Sequence, residues 1–174
     1  MKTEISSRNL VILVLMLMGI GTRLIGHYIP NFTAVGAIAL FAGAKFSDKR
    51  AAFLLSMGIM LVSDLFIGFH NTMWAVYGAF AFTVFLGILI QGKKGVLPIA
   101  GASLLSSLVF FLLTNFAAWY GSTLYPQNIA GLLESYIAAL PFLRNEAAAD
   151  ILFNGIFFGG FYLAETRFPV LAKR

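Results

Sequence analysis

The chain has 174 residues, of which 60% are hydrophobic and 11% are charged, and its formal net charge is +5. A soluble domain of this size does not need so much apolar surface, so the composition predicts one integral membrane domain, residues 1–174. The absence of cysteine excludes disulfides and thiolate metal sites, and basic residues in small separate groups argue against a nucleic-acid partner.

Five apolar segments occupy the first 120 residues, and we expect each to be a transmembrane helix, because about 20 helical residues cross the hydrocarbon core. The first, residues 5–25, starts like a signal peptide but lacks a small-x-small cleavage site, so we expect it to be retained. The second, residues 32–46, is short, and Gly36, Ala39 and Gly43 give it a small-residue face that predicts close packing against protein. The next three cover residues 51–69, 72–90 and 96–120.

The remaining segment divides into a polar part and a sixth apolar segment. Residues 121–150 contain two prolines and three acidic residues and are predicted to form an outer loop rather than a span. Within it, residues 128–140 have apolar side chains at helical spacing, which predicts a short surface helix. Residues 147–163 are the predicted sixth span, with Gly155 and Gly159 four positions apart.

The positions of lysine and arginine predict the orientation. With the N-terminus in the cytoplasm, ten of the twelve Lys and Arg residues fall on the inner side, and only Arg23 and Arg144 on the outer side. This distribution follows the positive-inside rule. The predicted fold is therefore an all-α, polytopic bundle of six transmembrane helices with both termini cytoplasmic.

Asp64 is the most informative residue, because an ionised group within an apolar span costs about 2.5–3.5 kcal/mol and is usually functional. The predicted topology places it on the outer side together with other polar and aromatic residues, which suggests an outward-facing pocket roofed by residues 121–150. Two alternatives stay open: Arg23 and Asp64 form a structural ion pair, and Trp74 and Tyr77 are interfacial aromatics.

No catalytic motif is present: the sequence lacks HExxH, GxSxG and a phosphate-binding loop. We therefore expect a protein that is not an enzyme. A metal-dependent enzyme using His27, Asp64 and His70 is the least favoured hypothesis, because three ligands from three segments have no recognised spacing.

The short-looped six-helix layout resembles the substrate-binding S component of an energy-coupling factor (ECF) vitamin transporter. Residues 23–77 also resemble an uncharacterised bacterial membrane family, through the segments IPNFTAVGAIALFAGAKF and SDLFIGFHNT. Among S components the chain is most similar to the small cobalamin-specific type, which has a histidine, an aspartate, a tyrosine and an arginine where this chain has His27, Asp64, Tyr77 and Arg144.

That resemblance implies uptake of a vitamin across the bacterial cytoplasmic membrane, with cobalamin or another corrinoid as the first candidate substrate and no intrinsic cofactor. It implies lipid contacts and a partnership with a transmembrane T component and its ATPases. The ligand-binding residues are then expected to be the following: Arg23, His27, Asp64, His70, Asn71, Trp74, Tyr77 and Arg144.

One feature departs from the cobalamin-specific type, which uses a cysteine sulfur as a cobalt ligand. This chain has no cysteine, and His70 is the candidate replacement, because imidazole is a competent ligand for cobalt. The alternatives are an S component for a different small vitamin and a membrane scaffold that does not transport.

Overall fold

In a computed structural model, which describes residues 7–26 and 28–167, the chain folds into six α-helices and no strand within those residues. This confirms the predicted all-α class. The helices are α1 Ser7–Ile25, α2 Val35–Lys45, α3 Lys49–Ile67, α4 Met73–Leu89, α5 Val96–Trp119 and α6 Ile129–Arg167.

The short helix α2 lies at the centre of the bundle and contacts each of the other five helices. Nine of its eleven residues are buried, because its side chains are mostly small and apolar on every face. A Cβ atom added to Gly43 would overlap the carbonyl oxygen of Val84, and one added to Gly87 would overlap that of Leu40. The predicted packing of this small-residue helix against protein is confirmed, and its face is therefore covered within the chain.

The turn from α2 to α3 is closed by charged side chains. The Lys49 ammonium donates to the carbonyl oxygens of Gly43 at 3.2 Å and Phe46 at 2.8 Å, which satisfies carbonyls that the end of α2 leaves free. The Asp48 carboxylate accepts hydrogen bonds from the backbone N–H groups of Arg50 and Ala51 as the N-cap of α3.

Helix α6 differs from the sequence interpretation. Residues 129–167 form one continuous helix of 39 residues that includes Pro141, where we expected a surface helix, a loop and a separate sixth span. Proline removes one backbone hydrogen bond, but the alanine- and leucine-rich sequence around Pro141 favours helix on both sides. The segment that was expected to roof the pocket therefore joins the last part of the bundle without a break.

Three of the described helices, α3, α5 and α6, are long and apolar enough to span a membrane. The described parts of α1, α2 and α4 are shorter apolar helices. At about 1.5 Å per residue, the 11 residues of α2 reach only about half of a 30 Å hydrocarbon core. The lengths and composition of the three long helices indicate a membrane protein.

Candidate functional site

A cavity of about 510 Å³ lies at the end of the bundle where α1 and α3 finish and α2 begins. We call it the main cavity. Its walls combine charged, polar and apolar residues from all six helices and from the connections between α1 and α2 and between α3 and α4. Asn31 in that connection has a positive φ of 62°, and the adjoining Pro30 carbonyl accepts a 3.0 Å hydrogen bond from Asn145 of α6. These contacts fix the connection against α6 at the cavity.

An ion pair joins α1 to α3 beside the main cavity. Arg23 Nη2 lies 2.8 Å from Asp64 Oδ1, and Arg23 Nη1 donates to Ser63 Oγ at 2.9 Å. The Tyr77 hydroxyl of α4 donates to Asp64 Oδ2 at 2.8 Å. Asp64 is fully buried and Arg23 is 14% exposed, so this Arg23–Asp64–Tyr77 cluster connects three helices around a charge with no access to solvent.

The members of this cluster differ in their access to the main cavity. Arg23 is a lining residue, whereas Asp64 and Tyr77 are not. Each Asp64 oxygen already faces a group of the protein. The geometry therefore supports the ion-pair alternative for Arg23 and Asp64, and a ligand contact made by Asp64 itself stays a prediction.

Two carboxylates on α6 face the main cavity from the other side. Glu146 and Asp150 both line it, and their spacing of four residues places them one turn apart on one face of a helix. Ser107 of α5 donates to Asp150 Oδ2 at 2.7 Å. Gly36 of α2 lies against Asp150 Oδ1, and a Cβ atom there would be 2.9 Å from that oxygen. The missing side chain of Gly36 therefore makes room for the carboxylate.

The rest of the wall is largely apolar. Val76 and Phe80 of α4 and Phe110 of α5 line the main cavity, and the rings of Phe80 and Phe110 pack with centroids 5.3 Å apart. A second cavity of about 210 Å³ shares Asn31, Val76, Phe110 and Glu146 with the first. The two spaces adjoin, so a ligand with an apolar body and a charged group has suitable surfaces for both parts.

The remaining predicted site residues occupy different positions. His70 lines the main cavity, is exposed, and has its Nδ1 atom 2.8 Å from Thr72 Oγ1. Asn71, Trp74 and Arg144 are exposed and do not line it, and His27 lies outside the described residues. In the continuous α6, Arg144 is two residues from Glu146, and residues so spaced point to nearly opposite faces of a helix.

Sequence reasoning did not select Glu146, Asp150 or Ser107 as site residues. It assigned Glu146 and Asp150 to an outer loop, so their common helical face was not considered. The available signal was the carboxylate pair at helical spacing followed directly by an apolar segment. Within the described part of the chain, no group of three or more His, Asp or Glu side chains is arranged to hold a metal ion.

Comparisons with known proteins show a family but no activity. Residues 3–171 match the family described as a family of unknown function, DUF6580. No curated protein and no solved structure matches the chain.

Proposed function

The chain belongs to this DUF6580 family of unknown function, and we propose from the geometry of its site that it is a membrane protein that captures a small organic molecule. The observation that carries the proposal is the main cavity of about 510 Å³, with an apolar wall, two carboxylates and an arginine. Ligand pockets for drug-sized molecules have about 300–1,000 Å³ and combine apolar walls with a few polar groups.

The proposed role is that of an S component, which binds a vitamin outside the bacterial cytoplasmic membrane and delivers it through a T component and its ATPases. If the chain has six spans and both termini in the cytoplasm, as the distribution of Lys and Arg predicts, the main cavity is on the outer side. The short helix α2 is compatible with this topology, because a central helix covered by protein does not have to match the bilayer thickness.

The volume favours a vitamin smaller than a corrinoid. A corrinoid is a large macrocycle with many amide side chains, and a cavity of about 510 Å³ does not enclose it. His70 lies at the cavity and remains the candidate cobalt ligand if a corrinoid binds at the opening.

A non-transport scaffold is the second candidate. The observation in its favour is that Arg23 forms an ion pair with Asp64 and Tyr77 donates a hydrogen bond to it inside the bundle, as expected of groups whose role is to hold helices together.

Ligand-induced thermal stabilisation of the detergent-purified protein tests the proposal. We expect one compound from a panel of water-soluble vitamins, cobalamin included, to raise the melting temperature, because a ligand that binds only the folded state stabilises it. The variant Val76→Trp fills the main cavity and should abolish the shift. Val96→Trp is a matched control at an exposed position outside the cavity, and it should retain the shift.

Uptake of the selected vitamin by cells that express the protein, with and without the T component and ATPases, then tests transport. A panel in which no vitamin stabilises the protein, or a shift that Val76→Trp leaves unchanged, contradicts capture in the main cavity and favours the scaffold.

A further inference from the structure

The Asp150 carboxylate is buried but only partly satisfied. The residue is 6% exposed, and Ser107 donates to its Oδ2 atom. Its Oδ1 atom has no hydrogen-bond or ion-pair partner among the residues that the structure describes. Because Asp150 lines the main cavity, a molecule that enters the cavity can supply the partner that this oxygen lacks.

Glu146, one helical turn earlier, also lacks a partner for its carboxylate among the described residues. It is partly buried, lines both cavities, and forms neither a hydrogen bond nor an ion pair within residues 7–26 and 28–167. Arg23 lines the main cavity too, but its positive charge is already balanced by Asp64 at 2.8 Å. The main cavity therefore has two carboxylates without a compensating cation from the described chain.

An ionised carboxylate out of water is costly unless a positive group or several hydrogen-bond donors face it. The cation that satisfies these two groups can come from a ligand. A protonated nitrogen placed between two carboxylates one helical turn apart forms charge-assisted hydrogen bonds with both. Ser107 holds Oδ2 of Asp150 and leaves Oδ1, which lies against Gly36, for such a contact.

We propose that Glu146 and Asp150 are a recognition site for the positively charged nitrogen of an organic ligand, whose apolar part packs on Val76, Phe80 and Phe110. This inference rests on the proposed small-molecule binding and names the class of molecule that is bound: a protonated amine, or a related nitrogen cation, attached to an aromatic or aliphatic body. Phe80 and Phe110 also offer ring surfaces suited to a cation or to an aromatic ring.

Three probes of similar size test the charge preference on the detergent-purified full chain: 2-phenylethylamine, 2-phenylethanol and 3-phenylpropionate. Each is titrated at neutral pH and its affinity is measured by calorimetry and by thermal shift. We expect the amine to bind at least about tenfold more tightly than the alcohol, which corresponds to about 1.4 kcal/mol. The carboxylate should bind most weakly, because it adds a like charge.

Variants then assign the preference to the two residues. Glu146→Gln and Asp150→Asn each keep the shape of the side chain and remove one charge. Each variant should bind the amine at least about tenfold more weakly, while its affinity for the alcohol stays nearly unchanged. Glu134→Gln is the matched control, because Glu134 is exposed on the same helix and does not line the main cavity. If Asp150→Asn does not fold, Glu146→Gln still provides the test at a less buried position.

Equal or tighter binding of the alcohol or the carboxylate overturns the cation inference and leaves the capture of a small molecule standing. Failure of the amine to bind at millimolar concentration also overturns it. The vitamin panel and the Val76→Trp variant decide the proposed function separately, so the two failures are distinguishable.

Discussion

Replacing Arg23 by methionine is expected to destabilise the bundle, because it leaves the fully buried Asp64 carboxylate without its cation. Removing one partner of a buried ion pair costs about 3–5 kcal/mol. Arg23 is 14% exposed, so water reaches its end of the pair more easily, and we expect the lower end of that range. The Tyr77 hydroxyl still donates to Asp64 Oδ2 but is neutral and cannot replace the guanidinium.

A double-mutant cycle separates the ion pair from the rest of the lost packing. The cycle compares Arg23→Met, Asp64→Asn and the double variant by equilibrium unfolding in mixed detergent micelles. Because the charges interact directly, the double variant should be more stable than the sum of the single effects predicts, by about 2 kcal/mol.

Two results would refute this reasoning. One is a decrease in the free energy of unfolding of less than about 1 kcal/mol for Arg23→Met, which would show that Asp64 does not depend on the Arg23 charge. The other is strict additivity in the cycle, which would mean that the two side chains act independently. Unchanged stability together with weakened vitamin binding would return Asp64 to the ligand-binding role expected from the sequence.

Three further predictions concern packing, capping and topology. Gly87→Ala should destabilise the bundle by at least about 2 kcal/mol in the same unfolding assay, because the new methyl group overlaps the α2 backbone. The control Gly78→Ala should be neutral or slightly stabilising, because Gly78 has open space around it. Asp48→Ala should cost about 0.5–2 kcal/mol through loss of the α3 N-cap, and Asp48→Asn, which can still cap, should restore most of it; equal losses would contradict the capping role. The chain has no cysteine, so Thr123→Cys and Ser47→Cys serve as single labelling sites for an impermeant maleimide on whole cells: the six-span topology predicts labelling at position 123 and protection at position 47, and the reverse pattern would contradict it.

The sequence was sufficient to predict the centre of the bundle. The short segment around Gly36 and Gly43 has small residues on successive turns, and only close backbone packing makes use of such a pattern. The partner was not predictable, because Gly87 lies in an ordinary apolar segment. The contact with α4 depends on how two helices cross, which a pattern within one helix does not determine.

The sequence was less informative for α6. The prolines and acidic residues between positions 121 and 150 favour a loop by composition. The structure instead has an alanine-rich helix that continues past Pro141. Because residues 121–150 were assigned to a loop, the helical spacing that puts Glu146 and Asp150 on one face was not recognised. Arg144 was selected instead, because it is the only basic residue in that segment. Its exposure follows from the register that the continuous helix imposes.

Asp64 and the Glu146–Asp150 pair differ in how many of their carboxylate oxygens have partners among the described residues, and this difference indicates where a ligand binds. Asp64 is the more deeply buried carboxylate, and by insertion cost alone it is the stronger functional candidate. Yet Arg23 of α1 and Tyr77 of α4 already place a protein group at each of its two oxygens. Asp150 has a free oxygen, and Glu146 has no described partner at all. Because a polar group that the protein leaves without a partner can gain a hydrogen bond or an ion pair from a ligand, the wall formed by α5 and α6 is the better candidate for ligand recognition, and the Arg23–Asp64–Tyr77 cluster joins the helices of the opposite wall.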